Sequence, residues 1–359
     1  MKSRTLLLSI GGTLLVLGLA VYAFQGPLGM TVMRTVAVER LSAKPMAGRP
    51  DGLYVGICGA GSPLPDEHRA APCTLVIAGK RMFMIDAGAA AARNVNRMGF
   101  NPGELEALFL THFHSDHIDG VGELQLQRWV GGTHSDPLPI YGPAGVEQVV
   151  DGLMQAYAQD KQYRVAHHGP KIVPPSGFGA VAHSFAAPPA GQHVVLIDEP
   201  DLQIVAFSVT HPPIHPAVGY RIRYKDRSVV FSGDTTKSPE VRREAEGVDL
   251  LVHEALAPKM VAVLAASSDA AGRHALAQIF RDIPGYHTTP EQAAETARDA
   301  HVGMLLLNHI VPALPIAALE STFLGAAPTI YQGRLRVGAD GDVVAMPSGS
   351  KSITLTSLP

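Results

Sequence analysis

Residues 111–117 read Thr-His-Phe-His-Ser-Asp-His, so four side chains able to bind a metal fall within six positions, spaced H-x-H-x-D-H. Side chains alternate along an extended segment, which puts His112 and His114 on one side, able to face one metal. Asp116 and His117 fall where the chain turns and can face a second. Imidazole and carboxylate ligands suit zinc, with manganese or iron as alternatives. A solvated polar loop has no reason to carry ligands at this density. Two metals about 3.5–4 Å apart can share a hydroxide, a strong nucleophile near neutral pH, and can stabilise the oxyanion that its attack creates.

A metal pair needs further ligands, and three candidates stand at the C-terminal ends of apolar runs, where α/β folds place sites. His211 follows Gln203–Val209, Asp234 follows Ser228–Phe231 and His309 follows Met304–Leu307. His215 competes with His211, and Pro212 and Pro213 obscure the geometry between them. The elements that must position these residues are short. Strands are predicted over Leu53–Cys58, Cys73–Ile77, Met82–Ile85, Glu106–Leu110, Gln203–Val209, Val218–Tyr224, Ser228–Ser232, Leu250–His253 and Met304–Asn308. Helices are predicted over Ala89–Met98, Gly145–Gln159, Pro290–Asp299 and Ile316–Leu324. Gly333–Val337 and Val343–Met346 read as a hairpin around Ala339-Asp340-Gly341-Asp342. Strands and helices are interspersed without a solenoid repeat, which implies a single α/β catalytic domain.

The set His112, His114, Asp116, His117, His211, Asp234 and His309 resembles that of the metallo-β-lactamase superfamily, over about residues 53–346. Within it the chain is most similar to the branch of ribonuclease Z and the metal-dependent arylsulfatase-like hydrolases. Gly59-Ala60-Gly61-Ser62-Pro63 resembles that branch's opening loop, and Asp86-Ala87-Gly88 its strand-end aspartate. Val252-His253-Glu254-Ala255 resembles its His-Glu-Ala segment. Tyr286-His287-Thr288-Thr289-Pro290-Glu291-Gln292-Ala293-Ala294 resembles its His-Ser/Thr helix start. The resemblance implies a four-layer αββα sandwich, two mixed sheets flanked by helices. It implies two zinc ions, one held by His112, His114 and His211, the other by Asp116, His117 and His309, with Asp234 between them. Asp116 then belongs to the catalytic set as well, His287 donates the proton to the leaving group, and Glu254 orients it. Asp86 and His253 stand behind the ligands. The implied reaction is hydrolysis of an ester-type bond: a phosphodiester, a sulfate ester, or a carboxylic ester or lactone. The alternatives are a ribonuclease Z-like phosphodiesterase on nucleic acid and a non-catalytic metal-binding relative. The full ligand set argues against the latter. An iron-pair redox protein on the same scaffold would carry companion modules, which are missing here.

Composition narrows the partners. The chain has 359 residues, 46% hydrophobic, with 29 Lys+Arg against 32 Asp+Glu and a net charge of -3. Such a chain is not disordered. Its balance carries no electrostatic footprint for a nucleic-acid backbone. Two cysteines exclude a disulfide-dense scaffold and a four-cysteine zinc module. After His309 the chain reads Ile-Val-Pro, and no long basic Gly/Pro-rich arm is present, unlike the tRNA-processing enzymes. The expectation is therefore a small-molecule ester as substrate, with nucleic acid not expected as a partner and a homodimer compatible. Sixteen histidines exceed an ordinary load, and the metal and proton-transfer assignments account for six of them.

Lys2 and Arg4 precede an uncharged stretch, Thr5–Phe24, the layout of a cleaved signal peptide or a retained signal anchor over residues 1–24. Positive charge before the span predicts an exported body, periplasmic or extracellular, or anchored in the inner membrane and facing the periplasm. Residues 25–50 read as a linker and 51–359 as the hydrolase domain. Within it, 121–200 read as an elaboration that covers the substrate. Arg128, Trp129, His167 and His168 are its candidate pocket wall, beside Tyr157, Tyr163 and Arg164. Cys58 and Cys73, 15 apart on adjacent predicted strands, could form a disulfide in an oxidising compartment.

Overall fold

The computed structural model describes residues 2–358, and the side chains of residues 13, 14, 17, 18, 21, 22 and 24–358. The chain divides into two compact units, Met1–Ala47 and Gly48–Pro359. In the first, a helix runs from Lys2 to Leu41 with Pro27 inside it, so residues 25–41, expected as linker, are helical. The Thr31 hydroxyl donates to the Pro27 carbonyl and that of Thr35 to the Thr31 carbonyl. The expected signal or anchor falls largely on side chains outside the described ones. Among the described residues no helix is long and apolar enough to cross a membrane.

The second unit holds two sheets. In chain order the first six strands are β1 (Gly52–Gly59), β2 (Cys73–Ala78), β3 (Arg81–Ala87), β4 (Leu105–Phe109), β5 (Leu138–Pro143) and β6 (Ala180–Phe185). The next seven are β7 (Val194–Asp198), β8 (Leu202–Ser208), β9 (Val218–Tyr224), β10 (Arg227–Phe231), β11 (Leu250–Leu256), β12 (Met304–Val311) and β13 (Arg334–Val337). β14 (Asp342–Pro347) and β15 (Thr354–Ser357) close the chain. Sheet one has the order β15-β14-β1-β2-β3-β4-β5-β6, and sheet two β13-β12-β11-β10-β9-β8-β7. Both are mixed: β3 to β6 run parallel in sheet one, and β10 to β13 in sheet two.

Alternation along the strands builds the layers. Val55, Phe83 and Phe109 of sheet one meet Ile204, Tyr220, Val252 and Leu306 of sheet two in one buried core. The alternate residues Val230, Leu251 and Leu305 face outward and pack under Val241, Ala293, Ala294 and Ala297 of the flanking helices. Every residue of β11 and β12 is buried, as parallel strands covered on both faces require. The helix Pro290–Asp299 starts where its sequence says it should. Pro290 leads it, and Thr289 and Gln292 form a reciprocal capping box. Its small buried face lets it lie close on sheet two.

Most expected strands are present within a residue or two, though β11 and β12 run three residues further. The expected C-terminal hairpin is not one: β13 pairs parallel with β12, while β14 pairs antiparallel with β1. The turn residues do reverse the chain, but each strand finds its partner in a different sheet. The helix expected over Gly145–Gln159 breaks at Tyr157 into Val146–Ala156 and Ala158–His168. Region 121–200 supplies strands β5 and β6, which extend sheet one. Cys58 and Cys73 form a disulfide, with a Cα–Cα separation of 5.0 Å, at the bulge where β1 leaves β2.

Candidate metal centre

The H-x-H-x-D-H loop leaves the C-terminal end of β4, and two glycines press it into place. A Cβ on Gly88 would lie 2.1 Å from the Asp116 carbonyl oxygen, and one on Gly120 would lie 2.1 Å from that of Gly88. Only glycine permits this approach of the 86–88 turn to the 116–120 turn. Asp86, at the end of β3, takes a left-handed φ of 55°. Its carboxylate accepts from the Thr111 amide and hydroxyl, each at 2.8 Å, and from His117 Nδ1 at 2.8 Å. One buried carboxylate thus contacts both ends of the loop.

Sheet two brings the remaining ligands. His211 lies three residues past β8, Asp234 three past β10, and His309 within β12 at a left-handed φ of 47°. Gly233 carries a φ of 60°, and a Cβ there would meet the Val218 carbonyl oxygen at 2.6 Å, so this turn into Asp234 demands glycine. His112 Nε2 and His114 Nδ1 are 3.0 Å apart, and His211 Nε2 is 3.5 Å from His114 Nδ1. Asp234 Oδ2 lies 3.9 Å from His112 Nε2, 4.0 Å from His211 Nε2, 3.4 Å from His117 Nε2 and 3.2 Å from His309 Nε2. Asp116 Oδ2 is 3.5 Å from His117 Nε2 and 3.3 Å from His309 Nε2. Three ligand groups result: His112-His114-His211-Asp234, Asp116-His117-His309, and Asp234-His287-His309, which overlaps the first two at Asp234 and His309.

The donor set fits cations. His211 Nδ1 is 2.9 Å from the Tyr286 carbonyl, which only accepts, so Nδ1 carries the proton and Nε2 is bare. The Thr111 hydroxyl donates to Asp86, which assigns the His112 proton to Nδ1 and again leaves Nε2 bare. Bare imidazole nitrogens this close repel unless a positive centre lies between them. Asp234 Oδ1 and His117 Nε2 are buried with no hydrogen-bond partner. Burial opposes charge on the His117 imidazole, yet Asp234 and Asp86 outweigh it and raise it well above its usual value. Burial likewise pushes the Asp234 carboxyl up, but His309 and His117 hold it well below the carboxylate range.

A second pair stands beside the ligands. Glu254 Oε1 accepts from His287 Nδ1 at 3.1 Å, from the Thr288 amide at 3.0 Å and from the Thr235 amide at 3.1 Å. Burial disfavours the charged His287 ring, but Glu254 overcomes it and raises its pKa to about 9. His287 and Tyr286, with Ser62, Leu64, Ile279 and Ile283, line a cavity of about 270 Å³ over Asp116, Asp234 and His309.

Other expected residues lie elsewhere. Arg128 and Trp129 are buried: the guanidinium donates to the Leu105 and Asp136 carbonyls, and the indole N–H to the Pro174 carbonyl. They hold the 130s and 170s loops and do not line this cavity. Amphipathic side chains in a loop-rich segment read equally well as pocket or as packing. His167 and His168 are exposed at the end of their helix. His253 takes the face of β11 opposite Glu254, with Nδ1 against the Glu254 carbonyl at 2.8 Å, so it does not back the ligands. His215, the competitor of His211, is in none of the three ligand groups. Asp340 was legible only as a turn residue. Its carboxylate accepts from the Ala60 and Ala70 amides and Asn94 Nδ2, pinning the loop that carries Ser62 and Leu64. Burial pushes its carboxyl up to about 6.

The β-lactamase superfamily domain matches residues 81–310. The chain is 35% identical over 290 residues to the ribonuclease Z of Mycobacterium bovis (strain BCG / Pasteur 1173P2), covering 80% of this chain and 96% of that one. Among solved structures it resembles human tRNase Z, short form, with a TM-score of 0.57 and 21% identity over 82% of this chain and 99% of that one. The metallo-beta-lactamase fold protein YhfI from Bacillus subtilis gives a TM-score of 0.56 at 22% identity, over 82% and 100%. These two share the fold, including the paired mixed sheets. The expectation that nucleic acid is no partner is overturned by the relative, a ribonuclease aligned over nearly its whole length. A net charge of -3 sums the entire surface and does not report the local field at a site built for cations. The chain is a metal-dependent hydrolase acting on ester bonds and belongs to the β-lactamase superfamily, among the relatives of ribonuclease Z.

Proposed function

We propose that this protein is a dinuclear zinc phosphodiesterase acting on RNA. The observation that carries the reading is the Asp234 carboxylate within 4.0 Å of the imidazoles of His112, His117, His211 and His309, with His287, held by Glu254, lining the same cavity, in a relative of ribonuclease Z. His112, His114 and His211 would hold one ion and Asp116, His117 and His309 the other, with Asp234 available to either. Zinc bound there supplies Lewis acidity toward the phosphoryl oxygens and a water activated for attack at neutral pH. Asp86 keeps the proton on His117 Nδ1, so Nε2 is the nitrogen that would bind an ion. Glu254 holds His287 by Nδ1, which leaves Nε2 to give its proton to the departing alkoxide.

The test is a panel run with zinc-loaded protein: a 3′-extended structured RNA, the same sequence as DNA, an aryl sulfate, a lactone and bis(4-nitrophenyl) phosphate. RNA cleavage above the other substrates is expected. Two zinc ions per chain with no phosphodiester cleavage would sink the reading.

A further inference from the structure

The cavity over the metal centre has two unlike halves. Its floor is charged: His114, Asp116, Asp234 and His309. The rest of its lining is mostly apolar, with Leu64, Ile279, Ile283, Tyr286 and Val311 forming a wall. Ile279 comes from the helix His274–Asp282, which the sequence pattern did not announce, Ile283 and Tyr286 from the turn after it, Leu64 from the loop after β1 and Val311 from β12.

The wall is preformed. Val261, Ala265 and Phe280 form a small core with Val311 and Leu256, and Leu64, Leu264 and Ile283 pack against it. Val311 lies two residues from the ligand His309, so this core is fixed to the strand that carries the metal site. Ile279, next to the buried Phe280, is 52% exposed at the mouth of the cavity, which is unusual for so large an apolar side chain. Tyr286 is half-buried. Its ring lies 5.3 Å from that of His211 and 5.0 Å from that of His287, centroid to centroid. The His211 hydrogen bond goes to the Tyr286 main-chain carbonyl, so the ring itself is not needed to orient the ligand.

A charged floor beside an uncharged aromatic wall has the polarity of a nucleotide: phosphate on one side, base on the other. We propose that this apolar wall is a subsite for an uncharged planar group, a nucleobase of the substrate, stacked on Tyr286 and bordered by Ile279 and Ile283. The proposal rests on the RNA-phosphodiesterase reading above. It deepens that reading by making the 279–286 segment the element that selects for a base next to the scissile phosphate. Stacking a base on an aromatic ring contributes about 1–3 kcal/mol, or roughly 5- to 150-fold in affinity.

Calorimetry on the zinc-loaded protein separates the halves, using adenosine 5′-monophosphate, ribose 5-phosphate and hexyl phosphate as probes. The wild type is expected to bind the nucleotide at least about 5-fold more tightly than the sugar phosphate. Tyr286→Ala should abolish that preference while leaving ribose 5-phosphate affinity and zinc content unchanged. Ile279→Ser, at an exposed position, should reduce the preference in part without endangering the fold. Equal binding of nucleotide and sugar phosphate by the wild type overturns the subsite, as does equal weakening of both by Tyr286→Ala. Hexyl phosphate binding as tightly as the nucleotide overturns it too, by assigning the wall to an alkyl group. A base preference without RNA cleavage sinks the phosphodiesterase and keeps the subsite; RNA cleavage without a base preference does the reverse.

Discussion

Sheet one delivers four ligands on a single loop, residues 112–117 after β4, whereas sheet two delivers three from positions 211, 234 and 309 on separate strands. The first set is arranged by close neighbours: the Asp86 carboxylate and the glycine contacts at 88 and 120. The second is arranged by strand register, since β10 pairs with β11 and β11 with β12 before any ligand can converge. A local motif tolerates a shift of its sheet as a body. A distributed set does not, because a one-residue slip turns each side chain to the other face.

The comparison breaks most readily at Asp234, whose Oδ2 lies within 4.0 Å of His112 and His211 on one side and of His117 and His309 on the other. Asp234→Ala should lose both metals, with activity falling on the order of 10³-fold or more. Metal analysis showing two ions retained would refute the shared role. Asp86→Ala, which loosens only the local loop, should weaken metal affinity or activity by about 10–100-fold. A change under 2-fold would mean that the loop holds its shape without that carboxylate.

The Glu254–His287 couple sharpens the same contrast through pH. In metal-free protein His287 should titrate near 9 by NMR, and Glu254→Gln should bring it down toward the ordinary histidine value. The sign follows from a folded pKa above the unfolded one. The couple stabilises the metal-free fold fully below pH about 6.5, and this contribution is lost as pH rises through about 9. Denaturant midpoints at pH 6 and 10 for wild type and His287→Asn would show it; identical differences at both pH values would contradict it. The smallest effect is expected at Arg128. Arg128→Ala should cost about 2 kcal/mol of stability through its two carbonyl hydrogen bonds and leave KM unchanged. A raised KM would restore Arg128 to the pocket.

Legibility follows the range of the interactions. The strands β1 to β4 and β8 to β12 and the helix Pro290–Asp299 were readable from short apolar runs and from a helix start after His287, signals that act over a few residues. The tail hairpin was misread because turn chemistry at Asp340-Gly341 announces a reversal but not which sheet receives each strand. The substrate wall was sought in 121–200 on the strength of Arg128 and Trp129, whose amphipathic side chains served packing instead. Tyr286 lay one residue from the expected proton donor, yet nothing in its own identity separates a cavity-facing tyrosine from a packed one.

By itself, then, the amino-acid order determined the ligand types and the H-x-H-x-D-H spacing, because backbone alternation alone puts His112 and His114 on one side. It also marked the ends of apolar runs where the distant ligands stand. The tertiary structure decided what depends on long-range pairing. It brought Asp234 Oδ2 within 4.0 Å of four imidazoles and set Glu254 against His287. It also gathered Leu64, Ile279, Ile283, Tyr286 and Val311 into an apolar wall beside the charged floor, because a cavity's lining is set by packing between elements far apart in the chain.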